Sequence, residues 1–176
     1  GLGDVYKRQT KMFTSFSNTT TGANRATDDI INEYTLSTPY DISTATYAGD
    51  SERCAIVNST KTTSTSLGFK FSDNGMKIFV AQRGLNNVAN SYVNRLDLTT
   101  AYDVSTCSYH SDVNVDTNEL QNGTNAGNRS TSGKNNLQGM AITNYGTKLF
   151  LTMKERDGKQ SIKEYSFSTQ YDLSTL

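Results

Sequence analysis

Few residues in this chain are equipped for chemistry. Its one histidine, His110, follows Tyr109 on a segment that reads as a strand, a setting that favours a structural role. The stretch DVNVDTNE spaces Asp112, Asn114 and Asp116 at every second position, like the opening of a calcium loop. It then departs from that pattern: Thr117 stands where a glycine is needed, and Gly123 where a bidentate glutamate should close the shell. No metal or cofactor is expected. Arg83 and the cluster Lys154, Glu155, Arg156 and Asp157 are charged and do not recur elsewhere in the chain, so they are the candidate binding residues. Asp41, Asp103 and Asp172 recur in one motif and are assigned to turn chemistry.

Those candidates need a scaffold, and the sequence writes it as a repeat. INEYTLSTPYDIST (Ile31 to Thr44), VNRLDLTTAYDVST (Val93 to Thr106) and IKEYSFSTQYDLST (Ile162 to Thr175) align without gaps. Upstream, LGFKFSDNGMKIFV (Leu67 to Val80) matches QGMAITNYGTKLFL (Gln138 to Leu151), and only TKMFT (Thr10 to Thr14) precedes the first copy. Corresponding positions recur at roughly 62 to 71 residues. Within one period GFKFS alternates, a DNG turn follows whose Gly75 suits a positive φ, and KIFVA is apolar on both faces. A third strand carries Leu96 and Leu98, the YD(I/V/L)ST motif makes a corner, and a fourth strand starts at Ser108-Tyr109. Tyr40, Tyr102 and Tyr171 are expected to pack beneath that corner. Gly68 and Gly139 suit an innermost strand, where backbones crowd together.

Composition agrees. Lys plus Arg equals Asp plus Glu, at 17 each, which removes the electrostatic case for nucleic acid or an anionic membrane. Ser, Thr and Asn make up roughly a third of the chain, which suits short strands and polar turns over helices. Ten Tyr and seven Phe argue against disorder, and no apolar run reaches membrane-spanning length. Cys54 and Cys107 fall in different repeats without metal-ligand spacing and are read as isolated thiols, leaving the redox compartment undecided.

Four antiparallel strands per repeat, some apolar on both faces, describe sheets covered on each side by neighbours, as in a β-propeller. The (F/I)(S/T)xxGxK(M/I/L)(F/Y)(V/L) hairpin resembles YVTN and lactonase-like propeller repeats. The whole unit, with its corner, is similar to an uncharacterised group of such repeats in environmental bacterial and phage sequences. The resemblance implies an all-β fold, a β-propeller fragment of four-stranded antiparallel blades, about two and a half repeats and not closed. It implies no particular function, because propellers host many. Lactonase-like members imply metal or acid/base chemistry in the channel, but no cluster here matches such a site residue by residue.

Thr10 to Phe13 reads as the second half of a hairpin, so position 9 should be glycine, yet it is Gln9. DVYKRQ (Asp4 to Gln9) resembles the translation of a transposon mosaic end used in sequencing adapters, and residues 1–9 are expected to lie outside the fold. The organisation expected is then 1–9 adapter, 10–66 partial blade and loop, 67–136 blade and loop, and 137–176 partial blade. In a propeller the connections after strands two and four open on one face, and here all the length lies on that face. The expected role is a module presenting those loops to a protein or glycan partner, in an extracellular, cell-surface or virion setting. The alternative is a lactonase-like hydrolase with its site in the channel.

Repeat units need about three neighbours for stability, and exposed sheet edges invite further pairing. Residues 10–176 expressed alone are therefore expected to be aggregation-prone or partly unfolded. A sharp, reversible melt of a monomer, followed by circular dichroism, would contradict this.

Overall fold

The computed structural model describes residues 10–17, 29–56, 64–84, 91–114, 136–154 and 159–176. They form three antiparallel sheets and no closed sheet. Sheet 1 contains β1 (Lys11–Ser17), β2 (Asp29–Leu36), β3 (Ala45–Tyr47) and β4 (Arg53–Ala55), with β3 and β4 both paired to β2. Sheet 2 contains β5 (Ser64–Phe71), β6 (Lys77–Gly84), β7 (Tyr92–Leu98) and β8 (Cys107–Asn114), in that spatial order. Sheet 3 contains β9 (Asn136–Ile142), β10 (Lys148–Lys154) and β11 (Gln160–Ser166), with β10 central.

The sheets pack face to face, and β6 shows why. Alternate side chains of a strand point to opposite faces. Ile78 and Val80 enter a core with Ile31, Cys54 and Ile56 of sheet 1, to which Leu96, Leu98 and Val104 also belong. Phe79 and Ala81 point the other way, into a core with Leu137, Leu149, Leu151, Met153 and Phe167 of sheet 3. Sheet 2 is thus apolar on both faces because both are covered. In β10 only Leu149, Leu151 and Met153 turn inward, whereas Lys148, Thr152 and Lys154 face water.

The corner after the third strand takes one conformation three times. Asp41, Asp103 and Asp172 each accept a bond from the backbone N–H two residues on, at 3.0, 3.1 and 3.0 Å, capping a single 3-10 turn. Thr44, Thr106 and Thr175 lock it from behind, each donating its hydroxyl to the carbonyl of that same aspartate. The preceding tyrosines pay for this geometry with left-handed backbones, at φ of 65°, 56° and 60° for Tyr40, Tyr102 and Tyr171. Such backbones cost about 1–2 kcal/mol each for a residue with a Cβ. The offset is visible in two copies. The Tyr102 and Tyr171 rings lie against Gly75 and Gly146, where a Cβ would meet the ring at 2.3 Å. Each tyrosine N–H also donates to that glycine's carbonyl, at 2.9 and 3.0 Å. Gly75 (φ 70°) and Gly146 (φ 58°) are therefore demanded twice, by backbone angle and by space. Position 9, the sequence counterpart of Gly75 and Gly146, lies outside the described residues.

Two expectations need correction. Gly68 is not crowded: nothing lies within 4 Å of where its Cβ would be. It follows a β-bulge at Ser66/Gly68 and takes a φ of 156°, so the glycine serves the bulge. Nor are the cysteines isolated thiols. Cys54 in β4 and Cys107 at the end of the second corner form a disulfide, with Cα atoms 5.8 Å apart. It staples sheet 1 to sheet 2 within their shared core.

The bridge spans 53 residues of sequence, a loop long enough to restrict the unfolded chain strongly. Replacing both cysteines (Cys54→Ala with Cys107→Ala) should lower stability by about 2–4 kcal/mol, measured by urea unfolding. Reducing agent should shift the wild-type midpoint similarly and leave the double variant unmoved.

Candidate functional site

The strand directions divide the connections between two ends. Residues 37–44, 72–76, 99–106 and 143–147 turn at one end; the strands that 18–28, 57–63, 85–90, 115–135 and 155–158 join, segments outside the described residues, have those ends at the other. The turn end is tied together. Asp73 accepts from the Tyr102 hydroxyl through its carbonyl (2.9 Å), donates its N–H to the Tyr171 hydroxyl (3.2 Å), and takes the Tyr145 N–H on its carboxylate. One residue of sheet 2 thereby holds both the corner and the hairpin turn of sheet 3. That end is built for rigidity.

The candidate binding residues lie at the loop end. Arg83 is half-buried near the end of β6, paired in register with Thr65. Lys154 is exposed as the last residue of β10. The two occupy equivalent hairpin positions, Arg83 on the face of sheet 2 turned toward sheet 3 and Lys154 on the outer face of sheet 3. Glu155, Arg156 and Asp157 lie outside the described residues. The geometry brings Arg83 and Lys154 to the same end.

Sequence reasoning passed over a buried polar chain at the same end, between sheets 1 and 2. Gln82 donates its amide to Asp29 (2.8 Å) and accepts from the Asn94 amide (2.7 Å). All three side chains belong to buried residues. The oxygens Asn94 Oδ1 and Ser66 Oγ are also buried and have no partner among the described residues. Groups of this kind are commonly satisfied by bound water. A signal existed in the alignment: Gln82 interrupts an apolar strand where the other copies carry Phe16 and Met153.

His110 is exposed, and its place has a local cause. The register of β7 with β8 shifts so that Arg95 faces Ser111 and Leu96 faces Tyr109, leaving His110 as the extra residue of a bulge. Its Nδ1 lies 3.0 Å from Ser111 Oγ, and its Nε2 lies 3.8 Å from Asp97 Oδ2. A serine, a histidine and an aspartate thus meet in order, but the aspartate is already engaged. Arg95 grips it through two bonds of 2.7 and 2.8 Å and also reaches the Tyr171 carbonyl at 3.4 Å. The group positions the edge strand against sheet 3.

Asp112, from the calcium-like stretch, sits in β8 and accepts from the Tyr109 hydroxyl. Asp50 accepts the Tyr47 hydroxyl in the same way in sheet 1 (2.9 Å). This is strand-edge chemistry, repeated. Asp116 and Glu119 lie outside the described residues. Among the described residues no group of three or more His, Cys, Asp or Glu side chains could hold a metal ion, and no helix is long and apolar enough to cross a membrane.

No protein-family model matches this chain, and no curated protein or solved structure matches it.

Three aspartates give the fold a defined pH response. Partial burial raises the Asp97 pKa, but bonds and charge from Arg95, helped by Lys77 and His110, outweigh it and hold it below the usual value. Bonds from the Ser43 and Ser174 hydroxyls, then their N–H groups, lower Asp41 and Asp172. A depressed carboxylate stabilises the fold fully above its unfolded pKa of about 3.9, and that contribution disappears as pH falls through the folded value. Melting temperature should therefore be flat from about pH 7 to 5 and drop below about pH 4. The gap between wild type and Asp97→Asn should narrow as pH falls; a constant gap would show that the charge is not the source.

Proposed function

We propose that the three sheets are successive blades of a radial array, a β-propeller resembling YVTN and lactonase-like repeats, acting as a binding module. Its loop end would meet a protein or glycan partner. The observation that carries this reading is the asymmetry of the ends: the turn end is short and cross-bonded, and every long connection leaves from the other. Loops on a rigid scaffold are where repeat folds place recognition. The longest connection, 115–135, is rich in Asn, Gly, Ser and Thr, residues that supply adaptable hydrogen bonding to polar partners. Arg83 and Lys154 stand at the same rim, and Glu155, Arg156 and Asp157 follow directly in sequence.

The Cys54–Cys107 bridge supports an oxidising setting, such as a cell surface, a virion or a secreted protein. No observation favours the lactonase-like alternative: the Ser111, His110 and Asp97 group lies at an outer edge, with its carboxylate held by arginine.

The test is to screen the chain on a glycan array and a panel of surface proteins, beside two variants. One replaces 115–135 with a short Gly-Ser linker; the other combines Arg83→Ala with Lys154→Ala. Binding should weaken about tenfold or more in both, equivalent to about 1.4 kcal/mol, with melting unchanged. Binding that survives both variants would place recognition elsewhere, and lactone hydrolysis by the chain would favour the enzyme.

A further inference from the structure

The stretch that opens like a calcium loop gains a different meaning from the strand it occupies. Asp112 and Asn114 lie in β8, where alternate residues share a face. Val113 between them enters the core with sheet 3, so Asp112 and Asn114 stand on the face turned toward sheet 1. Directly opposite Asp112, in the neighbouring strand β7, is Asn94. Side chains paired in this way have their Cβ atoms about 4.5–5.5 Å apart.

Asn94 is 2 % exposed, and its Oδ1 has no partner among the described residues. The polar chain forces this. An ionised Asp29 can only accept, so Gln82 must give it the amide NH2. Gln82 then turns its oxygen to Asn94, which must answer with its own NH2. Turning Asn94 over would set two oxygens together, and turning Gln82 as well would set an oxygen against the Asp29 carboxylate. The Asn94 oxygen therefore points away from Gln82 and β6, to the side on which β8 lies.

Hydrogen bonds aligned in one direction strengthen one another. The Asp29 charge polarises the Gln82 amide, which polarises Asn94 in turn, so negative charge gathers on Oδ1. Beside it stands Asp112, whose carboxylate accepts the Tyr109 hydroxyl and, when ionised, has no hydrogen to give. Two such oxygens repel unless something positive lies between them. A water can bridge them, but a cation also balances the two carboxylate charges on either side of Asn94.

We infer that β7 and β8 hold a calcium site on the face turned toward sheet 1, with Asn94 Oδ1 and the Asp112 carboxylate as ligands. Asn114 is a further oxygen donor on that face, and Asp29 is a positioning residue acting through Gln82. Calcium takes oxygen donors of these kinds and accepts water in its remaining positions. Two acidic side chains make this set, fewer than the three of a conventional acidic cluster. So low a ligand charge corresponds to a Kd of about 0.1–1 mM, the range of extracellular modules. The Cys54–Cys107 bridge fits the same setting. The bound ion fastens edge strand β8 to the seam between sheets 1 and 2, whichever partner the loop end meets.

Equilibrium dialysis of the whole oxidised chain, stripped with chelator and returned to calcium, tests the site. Wild type should bind one ion per chain at about 0.1–1 mM. Calcium should also raise the melting temperature more than magnesium does at equal ionic strength, because magnesium demands stricter octahedral geometry. Asp112→Asn removes a ligand charge and should weaken binding about tenfold or more, with its calcium-free melt unchanged. Asp29→Asn leaves both ligands in place and should still weaken binding about tenfold. If Asp112→Asn loses its cooperative melt, Asp112→Ser takes its place with the same expectation. No saturable binding up to about 10 mM would overturn the proposal, and is the result expected if water alone fills the site. An equal response to magnesium would overturn it too, as would calcium binding untouched at Asp112, which would put the ion on another segment.

Discussion

Everything in this molecule depends on the two-sided burial of sheet 2. A strand such as β6, apolar at consecutive positions, is tolerable in water only if both of its faces are covered. Ile78 and Val80 require one neighbour, Phe79 and Ala81 another, and the stacking of three sheets follows. The inter-sheet disulfide, the buried corner residues and the cations aimed at corner carbonyls all occur because successive sheets lie close enough to touch.

Apolar packing alone would let the sheets slide, and the polar contacts set their register. Glu33 is buried against Lys11, and Arg95 against Asp97, yet buried ion pairs contribute little net stability because desolvation offsets their attraction. What they supply is direction: each cation finds the carbonyl of a single tyrosine on the next corner. The two interfaces solve one problem with different residues. Where Cys54 meets Cys107 at the first, the equivalent positions at the second are Val113 and Leu176, both in that interface's core. A covalent staple and an apolar pair thus occupy the same place.

The corner shows how local strain serves the global fold. Left-handed tyrosines are unfavourable by themselves, and the ring seated on a hairpin glycine returns that cost. The arrangement couples the two ends of a sheet's sequence, since the turn between its first strands is held by the turn between its last. Asp73 extends the coupling to the next sheet.

Much of this was legible in the residues. Strand identity followed from alternation, the DNG turn from its glycine, and the aspartate cap from the YD(I/V/L)ST spacing, because each depends on atoms within a few residues. The repeat also showed that a tyrosine and a glycine recur together, though not that one sits on the other. Tertiary structure decided the rest. Cys54 and Cys107 fall at different positions of the repeat, and only stacking of one sheet on the next brings their Cα atoms within bonding reach. The polar chain of Asp29, Gln82 and Asn94 draws on two sheets, so no single stretch of sequence displays it. His110 is turned to the edge by a bulge, which depends on pairing between strands.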